Sequence, residues 1–572
     1  MAPRKRLRLP LLRYLTTVRY LRPRQIVYLI INRLWRYGAR YDRPVNAARA
    51  AGFKLPSRIS RASSALAGET ITFLNVAKVF PGGAIDWASK DMTRLWRYNL
   101  HYFDYLLAND VSGDHAGSAI SDWIRSNPPG TGEGWEPYTV SLRIVNWIKF
   151  FTGSTWKGDV PQACLDSLYR QTLWLERRIE YHLLANHYLK NGKALLFAGS
   201  FFDSEDAARW FRKGLDIVAK EADEQLLADG GHYERSIMYH SIVLEDYLDV
   251  ISVLSANDSS RTAEISAHLL TKTKAALDFL VDLSMPDGQI CLFNDAAFGI
   301  APSPKELFDY AEDVIAYRRP EPPRGMLLIS RADTGYYVLG CDQDRMVVDC
   351  GPIGPDYQPG HAHCDTLSYE LAIDGRRVVV DTGVHDYESS TSRWYARSTK
   401  AHNTVLVDGE EQSEIWGVFR VAQRARPIFA RLSSTAQNSA QFDGAHDGYR
   451  RLCGDVIHRR TIRFHVENGW EIKDSLHGSG EHLLESFIHL HPAISVRTER
   501  NNLFLTASNN TLVATIEVSE DAAVSLEKGW YFPEFGVKLN KTVIKITKSG
   551  SLPLQAQYQI RKMPRNRAGS GD

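Results

Sequence analysis

The sequence predicts a multidomain α and β protein in which a helical half precedes a large antiparallel β-sandwich. Three observations predict this. At 572 residues the chain exceeds what one hydrophobic core organises, so two large domains or three smaller ones are expected. From about Leu95 to Tyr317 apolar residues recur at helical spacing, as in Ser141-Leu-Arg-Ile-Val-Asn-Trp-Ile-Lys-Phe-Phe151 and Leu244-Glu-Asp-Tyr-Leu-Asp-Val-Ile-Ser-Val-Leu254. After Arg318-Arg-Pro-Glu-Pro-Pro-Arg-Gly325, with its three prolines and a glycine, the period falls to two. Gly335-Tyr-Tyr-Val-Leu-Gly340, the run from Thr366 to Gly383 and Ala401-His-Asn-Thr-Val-Leu-Val-Asp-Gly409 are strand-like segments broken by Asp-Gly and Gly turns, and more follow to about Gln559. The divisions expected are a basic arm with an amphipathic helix over 1–43, a helical domain over 44–319, a linker over 320–326, the sandwich over 327–563 and a flexible tail over 564–572.

Charge and composition narrow the function. A formal charge of +2 is close to neutral for this length and argues against a dedicated nucleic-acid binder. The charge is uneven, with twelve Arg and Lys against the single acid Asp42 in the first 43 residues. Such a start suits peripheral contact with a membrane surface, through Arg24 to Tyr37, or with an acidic polymer; a solvated basic arm reads equally well. No apolar stretch reaches the length of a membrane span, and the start lacks the apolar core and small-residue cleavage site of a signal peptide. The expected location is cytoplasmic or peripheral at the inner membrane, with the periplasm as the alternative. Six cysteines without CxxC spacing fit ordinary buried residues.

The densest chemistry lies in His361-Ala-His-Cys-Asp365, with Asp381 after one strand-like run and His402-Asn403 before the next. Imidazoles at i and i+2 on an extended segment share a side. His363, Asp381 and His402 then form a mixed N/O set suited to zinc, or a hydrogen-bonded His-Asp network that needs no ion. In the helical half Asn186-His187 falls at a helix start, and Asp229-Gly-Gly-His-Tyr-Glu-Arg-Ser-Ile-Met-Tyr-His240 concentrates titratable groups behind a glycine turn. Trp135, Glu136 and Arg143 flank another helix start, and Arg97 lies in Trp96-Arg-Tyr-Asn-Leu-His101. Aromatic faces stack on sugar rings and Arg forks hold carboxylates, although each group alone also suits packing.

Taken in order, Trp96-Arg-Tyr-Asn-Leu-His-Tyr-Phe-Asp-Tyr105, Trp135-Glu-Pro-Tyr138, Asn186-His187 with Asn191-Gly-Lys193, Asp229-Gly-Gly-His-Tyr-Glu234 with Met238-Tyr-His240, His361-Ala-His-Cys-Asp365, Asp381-Thr-Gly383 and Ser398-Thr-Lys-Ala-His-Asn-Thr404 resemble the heparinase II/III family of polysaccharide lyases. The resemblance implies an N-terminal incomplete α/α toroid joined to a C-terminal antiparallel β-sandwich. It implies catalytic roles for Asn186 and His187, which would neutralise a uronate carboxylate, and for Tyr239 and His361 facing it. It implies a structural zinc on His363, Asp381 and His402, and an acidic polysaccharide or oligosaccharide as substrate. Ala362 and Cys364 depart from the commoner family residues Gly and Ala without removing a ligand.

The reaction so implied is β-elimination: the C5 proton of a uronate is removed and the C4 oxygen expelled. Neutralising the carboxylate stabilises the developing enolate, and a base and an acid complete the step. Tyr239 and His361 are the pair expected for proton transfer, with His240, Arg235 and Arg397 as cations to favour a phenolate. Glu234, His240, Arg393 and Arg397 join Arg97, Trp135, Glu136 and Arg143 as candidate substrate contacts. The polymer is glycosaminoglycan-like or a bacterial exopolysaccharide. A glycoside hydrolase using Asp229 with Glu234, or Asp295, is the enzymatic alternative. A non-catalytic polysaccharide-binding or assembly factor is the other.

Overall fold

The computed structural model describes residues 8–34, 45–55, 59, 66–67, 69–256, 260–321 and 324–563. The expected tail over 564–572, residues 322 and 323 of the expected linker, and 1–7 and 35–43 of the expected arm lie outside the described residues.

The helical half is an incomplete α/α toroid. Two short helices, α1 (Arg8–Val18) and α2 (Pro23–Leu34), precede it. Then come α3 (Arg94–Tyr102), α4 (Gly113–Ser126), α5 (Pro137–Thr152), α6 (Gln162–Arg177), α7 (Ala185–Phe201), α8 (Glu205–Gln225), α9 (Ile237–Ser255), α10 (Ser260–Leu283) and α11 (Pro304–Ile315). Odd-numbered helices pack side by side as an inner arc, α3 on α5, α5 on α7, α7 on α9 and α9 on α11. The even-numbered helices cover them from outside, with α4 on α6 and α8 on α10. Sequence pattern explains the two layers. On α5, α7 and α9 nearly every residue is buried, as an inner helix requires, whereas α4 and α8 bury a single stripe. Serine and threonine set the starts: Ser112, Ser204 and Ser236 accept the third helical amide of α4, α8 and α9, and Ser303 forms a capping box with Glu306 on α11.

Glycine sets how closely the layers approach. A Cβ on Gly199 of α7 would lie 2.4 Å from the backbone nitrogen of Phe211, and one on Gly214 of α8 would lie 2.5 Å from that of Leu196. Only hydrogen fits where these two backbones meet.

A three-stranded sheet, Leu66–Ala67, Thr70–Phe73 and Val76–Val79, stands before α3 and was not expected from the helical pattern. Its strands are only two to four residues long, too short for a period to register.

Strands run from Met326 to Lys562. A five-stranded antiparallel meander comes first: Met326–Arg331, Tyr336–Cys341, Asp344–Asp349, Tyr369–Ile373 and Arg376–Val379. It does not alternate in burial. The second, third and fourth strands are buried almost throughout, because one face carries Tyr336, Val338, Val347 and Ala372 into the core of the helical half while the other faces the sandwich core. An eight-stranded antiparallel sheet and a four-stranded one complete the sandwich. A short helix, α12 (Thr391–Ala396), capped by Ser390, interrupts the strands beside the junction. The meander thus joins the halves, and the 19-residue loop between its third and fourth strands is held against the toroid.

Candidate active site at the junction of the two halves

Three inner helices start at one rim. Glu136 is the N-cap position of α5, with Tyr138 in the first turn. Leu184 and Ala185 take left-handed backbone angles, φ 63° and 53°, and this turn brings Asn186 and His187 into the first turn of α7. Tyr239 lies in the first turn of α9, its amide bonded to Ser236 Oγ at 3.3 Å, while that hydroxyl donates to the Asp295 carbonyl at 2.6 Å. Helix starts present unpaired amides and a positive dipole end, so this rim favours an anion before any side chain is counted.

The sandwich supplies His361 from the loop between the strands Asp344–Asp349 and Tyr369–Ile373. His361 and His363 are in a turn rather than on a strand, yet they address the same group: His361 Nδ1 lies 2.9 Å from Asp295 Oδ2 and His363 Nε2 lies 2.8 Å from Asp295 Oδ1. The His361 ring stacks on Tyr239 with centroids 3.8 Å apart, and its Nε2 is 3.3 Å from Glu234 Oε2. Glu234 Oε1 accepts from the Asn186 side-chain amide at 3.2 Å, so one buried carboxylate joins the α7 start to the sandwich histidine. The Tyr239 and Tyr387 hydroxyls meet at 3.2 Å. His187 packs on Tyr138, at 4.3 Å between centroids, and its Nδ1 lies 3.0 Å from Glu180 Oε1. Its side chain is the most open of the set, 32% exposed against 14% for His361.

The charge states follow from these neighbours. Burial alone would lower the His187 pKa, but Glu180 at Nδ1, with Glu234 and Glu136 beyond, carries it above the ordinary imidazole value. Tyr239 is pushed well above the usual phenol range by burial, reinforced by Tyr387, Tyr138 and Asp295. The cations expected to favour its phenolate do not do so. His240 turns to the Ala276 carbonyl at 3.0 Å and packs at a tilt on Phe279, and burial lowers it to about 4. Arg235 binds the carbonyls of Thr334, Tyr233 and Asp333. Arg397 binds the Ala362 and Val418 carbonyls, with burial and Arg393 lowering it to about 9.

A second cluster lies immediately behind. Nδ1 of His363 and Nε2 of His402 are buried without a hydrogen-bond partner, and with an Asp365 oxygen they offer three ligand atoms within 4.8 Å of one another. Each imidazole has a carboxylate on its other nitrogen, Asp295 on His363 Nε2 and Asp381 on His402 Nδ1 at 2.9 Å. That is the support that metal-bound histidines require, and the orphaned lone pairs fit a cation better than an ion-free network. Of the carboxylates here, Asp381 lies on His402 Nδ1, and Asp365, whose carboxyl burial and Asp381 push up to about 6, converges with the two imidazoles.

Several candidate substrate contacts belong elsewhere. Trp135 is 4% exposed, donates to the Asn127 carbonyl at 3.2 Å and packs among Trp123 and Trp174, so it is core. Arg143 is fully buried over Trp123 and bonded to Gln171 at 2.8 Å. Arg393 does not reach outward either; its guanidinium forks onto Asp295 and the Val418 carbonyl. His240, Arg235 and Arg397 are likewise structural. Arg97 pairs with Glu133 at 2.6 Å, and Glu136 with Arg94 at 2.8 Å and with the Tyr98 hydroxyl, leaving this partly exposed group on the rim. Tyr387 was missed, because only the chain path after Asp381-Thr-Gly383 brings it to Tyr239.

The helical half matches the model described as Heparinase II/III N-terminus over residues 16–303, and the sandwich matches Heparinase II/III-like, C-terminal, over 324–561. The chain belongs to the heparinase II/III family. It is 27% identical over 323 residues to a heparin-sulfate lyase of Pedobacter heparinus, a match covering 51% of this chain and 47% of that protein. It is 23% identical over 448 residues to one of Bacteroides stercoris, covering 69% and 63%. The chain thus spans from about half to under two thirds of the length of these curated relatives. Among solved structures, a crystal structure of heparinase III superposes with a TM-score of 0.70 at 18% identity, over 94% of this chain and 89% of that one. Heparan sulfate lyase HepC from Pedobacter heparinus superposes with 0.55 at 18%, over 85% and 80%. These likenesses establish the fold.

Asp295 is fully buried and bonded to His361, His363 and Arg393. Asp295→Ala, which leaves the Arg393 cation buried without its carboxylate, is expected to cost about 3–5 kcal/mol of stability, read from denaturant unfolding. A loss below about 1 kcal/mol would show that Arg393 does not depend on it.

Proposed function

We propose that the chain is a polysaccharide lyase that cleaves a uronate-containing polymer of the glycosaminoglycan type by β-elimination. The observation that carries this is the stack of Tyr239, from a toroid helix start, on His361 from the sandwich, with Asn186 and His187 on the adjacent helix start. The names of the curated relatives, heparin-sulfate lyase, support the substrate class.

The mechanism follows from the charges. His187, whose pKa Glu180 raises so that the imidazolium is favoured, and the second amide hydrogen of Asn186 receive the uronate carboxylate, so that charge moving onto it as C5 loses its proton is met where it forms. Tyr239, kept as the phenol by its burial, delivers a proton to the leaving O4. When the C5 proton lies on the same face as O4, Tyr239 has first to lose its own proton; the phenolate then takes the C5 proton and returns it to O4 as the C4–O4 bond breaks. When it lies on the opposite face, a base other than Tyr239 has to take it, and His361, stacked on Tyr239, is the neighbouring imidazole. The hydrolase alternative needs two carboxylates free to face the sugar. Glu234 and Asp295 are instead engaged by His361, and Asp229 accepts from Thr334 and Gly231.

The same reading assigns a zinc ion to His363, Asp365 and His402. Bound there, it would supply fixed positive charge that holds the His361 loop to the strands behind it.

Three outcomes test these assignments. On a panel of glycosaminoglycans and bacterial exopolysaccharides, ultraviolet absorbance of an unsaturated uronate product should rise with the parent protein. It should fall roughly 10²–10⁴-fold in rate for Tyr239→Phe and His187→Ala. New reducing ends without absorbance would replace the lyase reading with hydrolysis. KM should increase as pH climbs through the raised His187 pKa, since the carboxylate-binding cation is then lost, while a KM flat from pH 6 to 9 would remove His187 from that role. Elemental analysis should find about one zinc per chain, absent from His402→Ala, with affinity weakened about 10–100-fold in Asp381→Asn. Full zinc content in His402→Ala would place the ion elsewhere.

A further inference from the structure

The helices α1 and α2 are amphipathic the wrong way round for a globular protein in water. Several of their polar side chains contact the protein. Thr17 Oγ1 accepts from the Trp416 indole at 3.2 Å and Arg13 Nε pairs with Glu414 at 3.4 Å. Gln25, 2% exposed, donates to the carbonyls of His182 and Tyr357, and Asn32 meets the His182 ring at 3.1 Å. Many of their aliphatic side chains face outward, while Tyr14 and Tyr28 pack on Trp416 and Tyr181. Leu12, Leu15 and Val18 on α1, and Ile26, Ile30 and Leu34 on α2, are 37–78% exposed. Nine of the sixteen exposed large hydrophobic residues among the described residues fall between Leu12 and Leu34. Scattered exposed apolar residues need no explanation, but two adjacent helices that both turn their apolar stripes to solvent do.

Charge identifies the occupant. Residues 8–34 contain six arginines and no Asp or Glu, and Arg19 and Arg33 are exposed among the apolar residues. A second copy of the chain would bring the same arginines face to face. An anionic bilayer surface instead offers headgroups to the arginines and acyl chains to the leucines and isoleucines. Neither helix is long enough to cross a membrane: they have 11 and 12 residues, and no helix among the described residues qualifies as a span. We propose that α1 and α2 form an interfacial docking surface for a membrane containing anionic phospholipid. The surface is independent of the catalytic reading. Because α1 rests on the sandwich strands near Trp416 and α2 on the toroid near His182, docking would hold both halves to the same plane.

The test is flotation of the full chain with vesicles of mixed phosphatidylglycerol and phosphatidylcholine, beside vesicles of phosphatidylcholine alone, with the mass in solution measured by light scattering. The parent should float with the anionic vesicles at least tenfold more than with the neutral ones, and less so at high salt. Leu15→Ser/Ile26→Ser/Ile30→Ser, exposed positions whose change should leave the thermal midpoint unaltered, should lower the bound fraction at least tenfold. Arg19→Glu/Arg33→Glu should lower binding to the anionic vesicles alone. The proposal is overturned if the parent stays in the soluble fraction with anionic vesicles, or if the triple serine variant floats as well as the parent. A dimer that the serine variant converts to a monomer would also overturn it, assigning the face to a contact between copies.

Discussion

The candidate site depends on one buried carboxylate. Asp295, on a loop of the toroid, accepts from two histidines of the sandwich loop and from the Arg393 fork on α12. An unpaired carboxylate in so dry a place would protonate or force the halves apart; with Arg393 beside it, its pKa is held well below the usual range instead. The consequence is geometric. The same two oxygens orient the His361 ring against Tyr239 and fix His363 with its Nδ1 turned to the candidate metal cluster, so candidate catalytic histidine and candidate metal centre share one support. Asn294 strengthens the tie, its amide bonding Asp365 at 2.8 Å and its side-chain oxygen accepting from the His363 amide at 3.0 Å.

The toroid solves a related problem on its own side. Converging helix starts gather positive potential at the rim, and the inner helices must nevertheless stay in register. Part of the answer is a buried ionic knot midway along: Lys193 with Asp246 and Asp249, Lys149 with Asp249, and the Tyr310 hydroxyl on Asp249 at 2.8 Å. It joins α5, α7, α9 and α11 by directional bonds that apolar contacts would not supply. Buried directional networks of this kind fix relative position.

Much of this was legible in the residues. The change of hydrophobic period near Pro320 separates the halves, and the clusters around Asn186, Tyr239 and His361 mark groups that the fold brings together. What could not be read is informative about why. Trp135 and Arg143 have the composition of a sugar subsite, yet an indole and a guanidinium stacked in a core look the same in one dimension. Asp365 and Asp381 are both carboxylates near histidines, and only the direction in which the His402 ring turns decides which converges and which supports. Tyr387 carries no local signal because its meeting with Tyr239 is made by chain path alone. The continuous burial of Asp344–Asp349 arises from a sheet covered on both faces, which an alternating pattern does not announce.

The eight-stranded sheet has a consequence for how the protein is made. The segment Leu554–Lys562 is not an edge; it lies between Gly469–His477 and Leu512–Val518, paired to both. During synthesis the toroid helices can form from local contacts, while the sheet that backs the His361 loop stays split in two until this late segment has emerged. Until then the exposed edges of Gly469–His477 and Leu512–Val518 are open to pairing with other chains. Completion of the sheet that backs the junction therefore waits for Leu554–Lys562 to emerge.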